Sequence, residues 1–289
     1  MRRIDSIVEL RGVIRAAKQS GKTVGFVPTM GYLHEGHLSL VDAARRDNDL
    51  VVVSIFVNPL QFGPNEDLDR YPRDLDRDSS LLEQRGCDVL FAPSVEEMYP
   101  RPMETMVEVT DLGRRLCGKT RLTHFRGVAT VVSKLFHIVT PDRAYFGRKD
   151  GQQVAVIRRM VQDLNFPVEI VDVPTVREPD GLAMSSRNLY LTPEERPHAT
   201  VLYRALQHAK ERILAGERDG RTLANFVGEI VASEPMVKLD YAETVYLDDL
   251  KPADVLEGRV MIAVAAYVGK ARLIDNLQLI IEGGTVREI

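Results

Sequence analysis

The sequence predicts an α/β protein: an open, doubly wound parallel sheet followed by a smaller α+β domain. Three observations predict it. Strand-length apolar runs alternate with helix-periodic segments through the first 180 or so of the 289 residues. Leu50 to Val57 is almost continuously apolar and β-branched, the composition of a parallel strand covered on both faces. After about Asp180 the alternation stops, and two successive helical segments precede three strand-like ones.

In chain order, Ile4 to Ser20 reads as an amphipathic helix closed by Gly21. Thr23 to Thr29 is a buried strand, Leu38 to Arg46 a helix and Leu50 to Val57 the next strand. A polar loop rich in Asn, Gly, Pro and Asp runs from Asn58 to Arg73. Asp74 to Arg85 is helical and Gly86 stops it; Cys87 to Ala92 is a strand, and Val107 to Val109 a short further one. Gly127 to Val139 is an apolar helix, Arg143 to Phe146 a strand, Gln152 to Leu164 a helix and Val168 to Val173 a strand. Arg177-Glu178-Pro179-Asp180-Gly181 has the chemistry of a hinge, which sets domains at 1–180 and 181–289. Beyond it, Pro193 to Ala215 and Arg221 to Ser233 read as helices, and strands lie near Leu239 to Leu247, Val260 to Tyr267 and Ala271 to Leu279.

Composition narrows the function. Hydrophobic residues make up 44% and charged residues 28%, ordinary for a soluble globular protein. The formal net charge is −4 with no long run of one sign, which argues against a sequence-independent grip on nucleic acid. Cys87 and Cys117 are the only cysteines and form no CxxC, as expected of reduced thiols in a cytosol. The basic N-terminus lacks an apolar signal core, and no apolar run is long enough to cross a bilayer.

Four segments carry chemistry. In Pro28-Thr29-Met30-Gly31-Tyr32-Leu33-His34-Glu35-Gly36-His37 a strand ends in a tight turn and a helix begins. The order places backbone N–H groups and two imidazoles where a polyphosphate could sit. Histidines three apart share one helix face. The zinc pattern H-E-x-x-H needs them four apart and a third ligand, and a structural pair at a turn stays open. In Asn58-Pro59-Leu60-Gln61-Phe62, Gln61 sits at the end of the most buried strand; its amide suits a substrate with hydroxyl and carboxylate, although turn residues look alike. In Phe146-Gly147-Arg148-Lys149-Asp150-Gly151-Gln152-Gln153, Lys149 lies where phosphate could meet an ammonium and a helix amino-end, the alternative being a solvated Lys-Asp pair. Met184-Ser185-Ser186-Arg187-Asn188 offers two hydroxyls and a guanidinium after the hinge, a phosphate clamp or a polar linker. Together they argue for ATP. No G-x-x-x-x-G-K-[ST] or G-x-G-x-x-G is present, which excludes the P-loop and dinucleotide patterns.

These segments resemble the pantoate–β-alanine ligase family. Tyr71-Pro72-Arg73 and His124-Phe125-Arg126-Gly127-Val128 with Thr130-Val131-Val132 follow in the family's order as well, and the resemblance runs from about Ile4 to Leu279. It implies a Rossmann-like domain of the nucleotidylyltransferase superfamily, with His34 to His37 as a HIGH-like signature and Met184 to Arg187 as a KMSKS-like loop. The implied reaction condenses pantoate with β-alanine through a pantoyl adenylate, using ATP and Mg²⁺ and releasing AMP and pyrophosphate. The implied protein is a cytoplasmic homodimer joined through its N-terminal domain, with no nucleic-acid or membrane partner. Its second domain is expected to act as a lid that excludes water from the labile adenylate.

By the same resemblance His37, His34 and Lys149 are catalytic. Met30, Gly31, Tyr32, Leu33, His34, Glu35, Gly36 and His37 bind ATP, as do Gly147, Arg148, Lys149, Asp150, Val176, Met184, Ser185, Ser186 and Arg187. Gln61 and Gln153 hold pantoate, and Gln61 borders β-alanine. No protein metal ligand is assigned: Mg²⁺ is held mostly by phosphate oxygens and water, and Asp76 and Asp78 read as a solvated helix face, assistance to the ion being the alternative. Gly151 stands where the family often has a larger residue. A glycine in a helix's first turn costs about 0.5–1 kcal/mol relative to alanine, which predicts a looser turn under Lys149.

Overall fold

The computed structural model describes residues 1–64 and 66–289; Asn65, inside the loop read from Asn58 to Arg73, lies outside them. Six strands form one sheet: β1 (Arg2–Ile4), β2 (Val24–Thr29), β3 (Leu50–Ile55), β4 (Val89–Phe91), β5 (Arg143–Gly147) and β6 (Glu169–Val173). Their spatial order is β1-β4-β3-β2-β5-β6, and every pairing is parallel. The helices are α1 (Ile7–Gln19), α2 (Glu35–Asp47), α3 (Leu75–Gln84), α4 (Val95–Met98), α5 (His124–Val139) and α6 (Gly151–Asp163). Val51, Val52 and Val53 on β3 are fully buried, so the unbroken apolar run reflects a strand with both faces covered. Val27, Val51, Val53 and Leu90 of the strands pack with Leu38, Val41 and Ala44 of α2 in one core cluster.

The strand order reverses between β2 and β5. In an open parallel sheet, ligands bind at the carboxyl edge of such a switch point. The loop leaving β2 carries Met30 to His34, and β5 ends in Gly147 and runs on to Arg148. Both flank the reversal.

Several boundaries differ from the sequence expectation. The first helix is preceded by β1, because Ile4 is buried and pairs with Phe91 of β4. Val107 to Val109 is not a strand: the Val107 N–H is taken by Thr130 Oγ1 at 3.0 Å, not by the sheet. The segment Pro193 to Ala215 is two helices, α7 (Glu195–His198) and α8 (Val201–Leu214). Thr192 and Glu195 form a reciprocal cap at the start of α7, so a short helix begins there in its own right.

The chain then continues with α9 (Gly220–Ser233) and an antiparallel sheet of β7 (Val237–Tyr246), β8 (Gly258–Val268), β9 (Ala271–Glu282) and β10 (Thr285–Glu288), in the order β10-β9-β8-β7. Strand β10 is an addition to the sequence expectation. Leu202, Leu206 and Ile213 of α8, Leu223 and Val227 of α9, and Val260, Ile262 and Val264 of β8 share one core. The architecture is thus a parallel α/β sheet followed by a small α+β part, as the sequence predicts. No described helix is long and apolar enough to cross a membrane.

Two compact units divide the chain. The first comprises residues 1–114, 118–148 and 156–173; the second comprises 115–117, 149–155 and 174–289. The division therefore falls before the expected boundary at Asp180, and Lys149 groups with the second unit. The expected hinge is a tight hairpin inside that unit. Glu178 N donates to Leu182 O at 2.8 Å, and Gly181 N donates to Glu178 O at 2.9 Å. Arg177 holds Asp275 through two bonds of 2.6 and 3.0 Å, and Arg196 holds Asp180 through two of 2.7 and 3.1 Å. Bonded at both ends, this segment lacks the slack that its Pro-Asp-Gly composition suggests.

Gly151 is also re-read. A Cβ there would lie 2.6 Å from Met261 Sδ and 2.9 Å from Gln278 Nε2. The glycine lets the first turn of α6 sit close against β8 and β9. It marks close packing, and the expected loosening of the turn does not follow.

Candidate active site

The first unit gathers one group of the sequence-predicted site residues around the start of α2. His34 is the N-cap of this helix, with extended backbone at φ −137° and ψ 174°. Its Nδ1 accepts from Gly36 N at 3.1 Å, and His37 Nδ1 accepts from His34 N at 3.4 Å. The two rings lie 4.1 Å apart between centroids, tilted by 38°. An Nδ1 that accepts a hydrogen bond carries no proton, so each neutral imidazole bears its proton on Nε2. The helix start therefore presents two imidazole donors side by side at the positive end of the helix dipole. Glu35, at the first helical position, pairs outward with Arg85 at 2.8 Å.

The backbone amides differ from the open amino-end that the sequence suggests. Gly31 N donates to Thr29 Oγ1 at 3.2 Å, Tyr32 N to Asp78 Oδ2 at 2.7 Å, and Leu33 N to Asp78 Oδ1 at 2.8 Å. Leu33 is buried in the core, which leaves its side chain no contact with a ligand. The amides of Gly31, Tyr32 and Leu33 are thus already engaged by Thr29 and Asp78.

Asp78 corrects a second expectation. It sits on α3 but is 1% exposed, whereas Asp76 faces solvent. Its two oxygens clasp the turn that leads into the histidine pair. Arg77 completes the clasp: Nη1 reaches Asp78 at 3.2 Å, Nη2 donates to Leu33 O at 2.9 Å, and the guanidinium covers the Tyr32 ring at 4.9 Å. Tyr32 adopts a left-handed φ of 50°. A non-glycine residue held in that region costs roughly 1–3 kcal/mol, and the clasp offsets it. Burial pushes the Asp78 carboxyl up from its ordinary value, against the opposing pull of the Leu33 and Tyr32 amides and Arg77.

Gln61 lies in the same unit, buried at the end of a 3-10 turn, Pro59–Gln61. Its Nε2 is 3.1 Å from Met30 Sδ, which joins two of the sequence-predicted positions. Its Oε1 accepts from Asn58 Nδ2 at 3.1 Å, and its carbonyl is 2.9 Å from His124 Nδ1. The turn rests directly on α5. A Cβ on Gly127 would stand 2.2 Å from Leu60 O, so only glycine allows this approach.

At the end of β5, Arg148 donates to Asp172 at 2.6 Å, and Arg158 reaches the same carboxylate. Burial raises the Asp172 carboxyl, but the hydrogen bonds and charges of the two arginines outweigh it and hold the group below its ordinary value. A depressed folded value contributes stability above the unfolded one, near pH 3.9, and that contribution is lost as pH falls through the folded value. Asp172→Asn is therefore expected to lower stability at neutral pH by about 1–2 kcal/mol and to flatten the acid limb below about pH 4. Urea unfolding across that range measures both.

The second unit holds the other group. Lys149, Ser185, Asn188 and Asp275 line one pocket with Leu182, Leu202 and Leu273. Lys149 Nζ lies 3.5 Å from Asp150 Oδ1, and Asn276 Nδ2 donates to Lys149 O at 2.8 Å. Ser185 caps the 3-10 turn Ser186–Tyr190 by accepting from Arg187 N at 3.2 Å, and Ser186 is buried. Met184 N donates to Val176 O at 3.0 Å. Gln153 stands half-buried in the first turns of α6. The unit thus brings Lys149 and Ser185 to one pocket.

Among the described residues no cluster of three His, Cys, Asp or Glu side chains stands ready to hold a metal ion. Asp78 is committed to its amides and Arg77.

Three features escaped the sequence reading. Asp78 lies in a polar stretch that looks like a solvated face. Tyr99 donates to Asn58 Oδ1 at 2.7 Å from the end of α4, a helix that was not foreseen. Asp275, Asn276 and Gln278 are buried polar residues on β9, signalled only by their place in an otherwise apolar strand.

Known proteins match along nearly the whole chain. The family model for pantoate-beta-alanine ligase matches residues 2–278. A pantothenate synthetase of a Thermoanaerobacter species is 57% identical over 273 residues, covering 94% of this chain and 96% of that protein. One from Fervidobacterium nodosum is 58% identical over 277 residues, covering 96% and 99%. The crystal structure of pantothenate synthetase from Thermus thermophilus aligns with a TM-score of 0.91 at 52% identity, covering 96% of this chain and 99% of that one. The pantoate-beta-alanine ligase of Francisella tularensis, solved with beta-gamma ATP and beta-alanine, aligns with a TM-score of 0.77 at 38% identity, covering 96% and 97%. With the parallel sheet and the paired histidines at its switch point, these matches place the chain in one family: it belongs to the pantoate–β-alanine ligases.

Proposed function

We propose that this chain condenses pantoate with β-alanine at the expense of ATP, through a pantoyl adenylate. A carboxylate is a poor acyl donor to an amine because oxide would have to leave. Pantoate's carboxylate oxygen attacks the α-phosphorus of ATP, the bond to the β-phosphate oxygen breaks, and pyrophosphate leaves with the electron pair. The β-alanine amine then attacks the acyl carbon, AMP departs, and the amine proton is released. No enzyme nucleophile is needed; the work is positioning and charge stabilisation.

The observation that carries this reading is the histidine pair, whose Nδ1 atoms each accept a backbone N–H. Their Nε2 protons suit the oxygens that gain charge as pyrophosphate leaves. His37 is the proposed proton donor, and His34 assists at the same phosphates. Lys149 supplies a further cation to phosphate, and Ser185, Ser186 and Arg187 bind phosphate oxygens. Met30, Gly31, Tyr32, Leu33, Glu35 and Gly36 shape the nucleotide site, as do Gly147, Arg148, Asp150 and Met184, with Val176 offering its backbone to adenine. Gln61 and Gln153 hold pantoate, and Gln61 borders β-alanine. Magnesium would enter with the triphosphate, held by phosphate oxygens and water, and would neutralise phosphate charge. A cytoplasmic homodimer joined through the N-terminal domain completes the proposal.

The test is direct. ATP, pantoate and β-alanine together are expected to give free AMP, pyrophosphate and a stable amide. AMP retained on the product would instead mark an adenylyltransferase, and no turnover a binding module. Gln153→Ala is expected to weaken pantoate binding by roughly tenfold while ATP binding holds, as loss of a hydrogen bond to a charged group would do. Equal effects on the two ligands would reject the assignment.

A further inference from the structure

We propose that Tyr99 is a positioning residue for pantoate, acting through Asn58 on the amide of Gln61. The proposal rests on the reading of Gln61 as a pantoate contact. Three side chains form a directed series of hydrogen bonds. The Tyr99 hydroxyl donates to Asn58 Oδ1 at 2.7 Å, and Asn58 Nδ2 donates to Gln61 Oε1 at 3.1 Å. Asn58 is 1% exposed and Gln61 8% exposed, so neither amide can exchange these partners for bulk water.

The directions matter. Asn58 Oδ1 accepts from Tyr99 and from Leu60 N at 3.3 Å, and Asn58 Nδ2 donates to Gln61 and to Gly127 O at 3.2 Å. All four bonds fit only one orientation of the Asn58 amide. That orientation turns a donor toward Gln61, which takes it on Oε1. The Gln61 Nε2 is then left on the Met30 side as a donor. A donor there suits a carboxylate or hydroxyl oxygen; the opposite orientation would set oxygen against oxygen. The bond from Tyr99 is shorter than that from Leu60, and polarisation along such a series strengthens each member.

The tyrosine is built for this task. Its ring packs against Phe56 at 5.8 Å, and Lys134 lies over it at 5.3 Å from the centroid, so the hydroxyl is aimed by contacts that do not involve it. Burial pushes the phenol well above its ordinary value, which keeps it a donor throughout the working range.

Tyr99→Phe removes only the hydroxyl and keeps the ring's packing, and thermal unfolding checks that the variant is folded. The expected result is a rise of roughly three- to tenfold in the KM for pantoate, with the KM for ATP unchanged. In a Gln61→Ala background the same substitution is expected to change nothing further, because the group it positions is gone. If Gln61→Ala raises the pantoate KM and Tyr99→Phe does not, the proposal is wrong and the Gln61 assignment stands. If Gln61→Ala leaves the pantoate KM unmoved, the Gln61 assignment fails and the positioning role fails with it. A rise in both KM values, or simple additivity in the double variant, would mark a general structural effect and overturn the proposal.

Discussion

Replacing His37 with alanine is expected to slow adenylate formation by on the order of 10²-fold or more, the loss typical of removing one preorganised donor from a developing oxyanion. The reason lies in the tautomer. His37 Nδ1 accepts the His34 amide, so its proton sits on Nε2 and needs no rearrangement before it is used. Alanine removes that donor and also a cap on the α2 amino-end. The cap is worth about 1 kcal/mol, so the fold persists and the loss registers in the chemical step. Rapid-quench measurement of pyrophosphate in a single turnover separates the two effects. An undiminished burst in His37→Ala would remove this residue from the chemistry.

The second large effect is expected at Asp78, which is buried against the turn into the histidine pair. Asp78→Ala strands the Tyr32 and Leu33 amides and leaves Arg77 without its carboxylate. Losing bonds to a buried charged group costs roughly 3 kcal/mol in stability. The same change frees the turn that carries a left-handed Tyr32 and leads into His34. A misplacement of about 1 Å at reacting groups costs on the order of 10²-fold in rate. Asp78→Asn keeps the shape with one acceptor oxygen and is expected to lose part of both. Urea unfolding and single-turnover rates on both variants give the comparison. Wild-type stability and rate in Asp78→Asn would show that the turn is held by other means.

What the sequence revealed, and what it hid, follows from the range of the interactions. Strand β3 was legible because a strand covered on both faces has an unbroken apolar run, and Val51 to Val53 are fully buried. The turn from β2 into α2 was legible because glycine and two histidines mark it locally. The helix itself begins earlier than Leu38, since an imidazole at His34 does the capping that Ser, Thr, Asp or Asn usually does. Strand β1 is three residues long, too short for periodicity to show.

The hidden features depend on partners distant in sequence. Asp78 looks like any acid on a polar helix face, and its role appears only when the Leu33 amide, 45 residues away, is placed against it. Tyr99 follows a four-residue helix and meets Asn58 across 41 residues. Asp275 and Asn276 stand side by side in β9 and would point to opposite faces of a strand, yet both are buried, with partners in Arg177 and Lys149. The Pro-Asp-Gly segment suggested a hinge because composition reports turn propensity and says nothing of the arginines that pin the turn in place.

A pantoyl adenylate requires that ATP be split before the amine arrives. Enzyme mixed with an excess of ATP and pantoate but no β-alanine is expected to release pyrophosphate in a burst approaching one equivalent per active site. Subsequent addition of β-alanine is then expected to release AMP and the amide. No pyrophosphate until β-alanine is present would contradict the account.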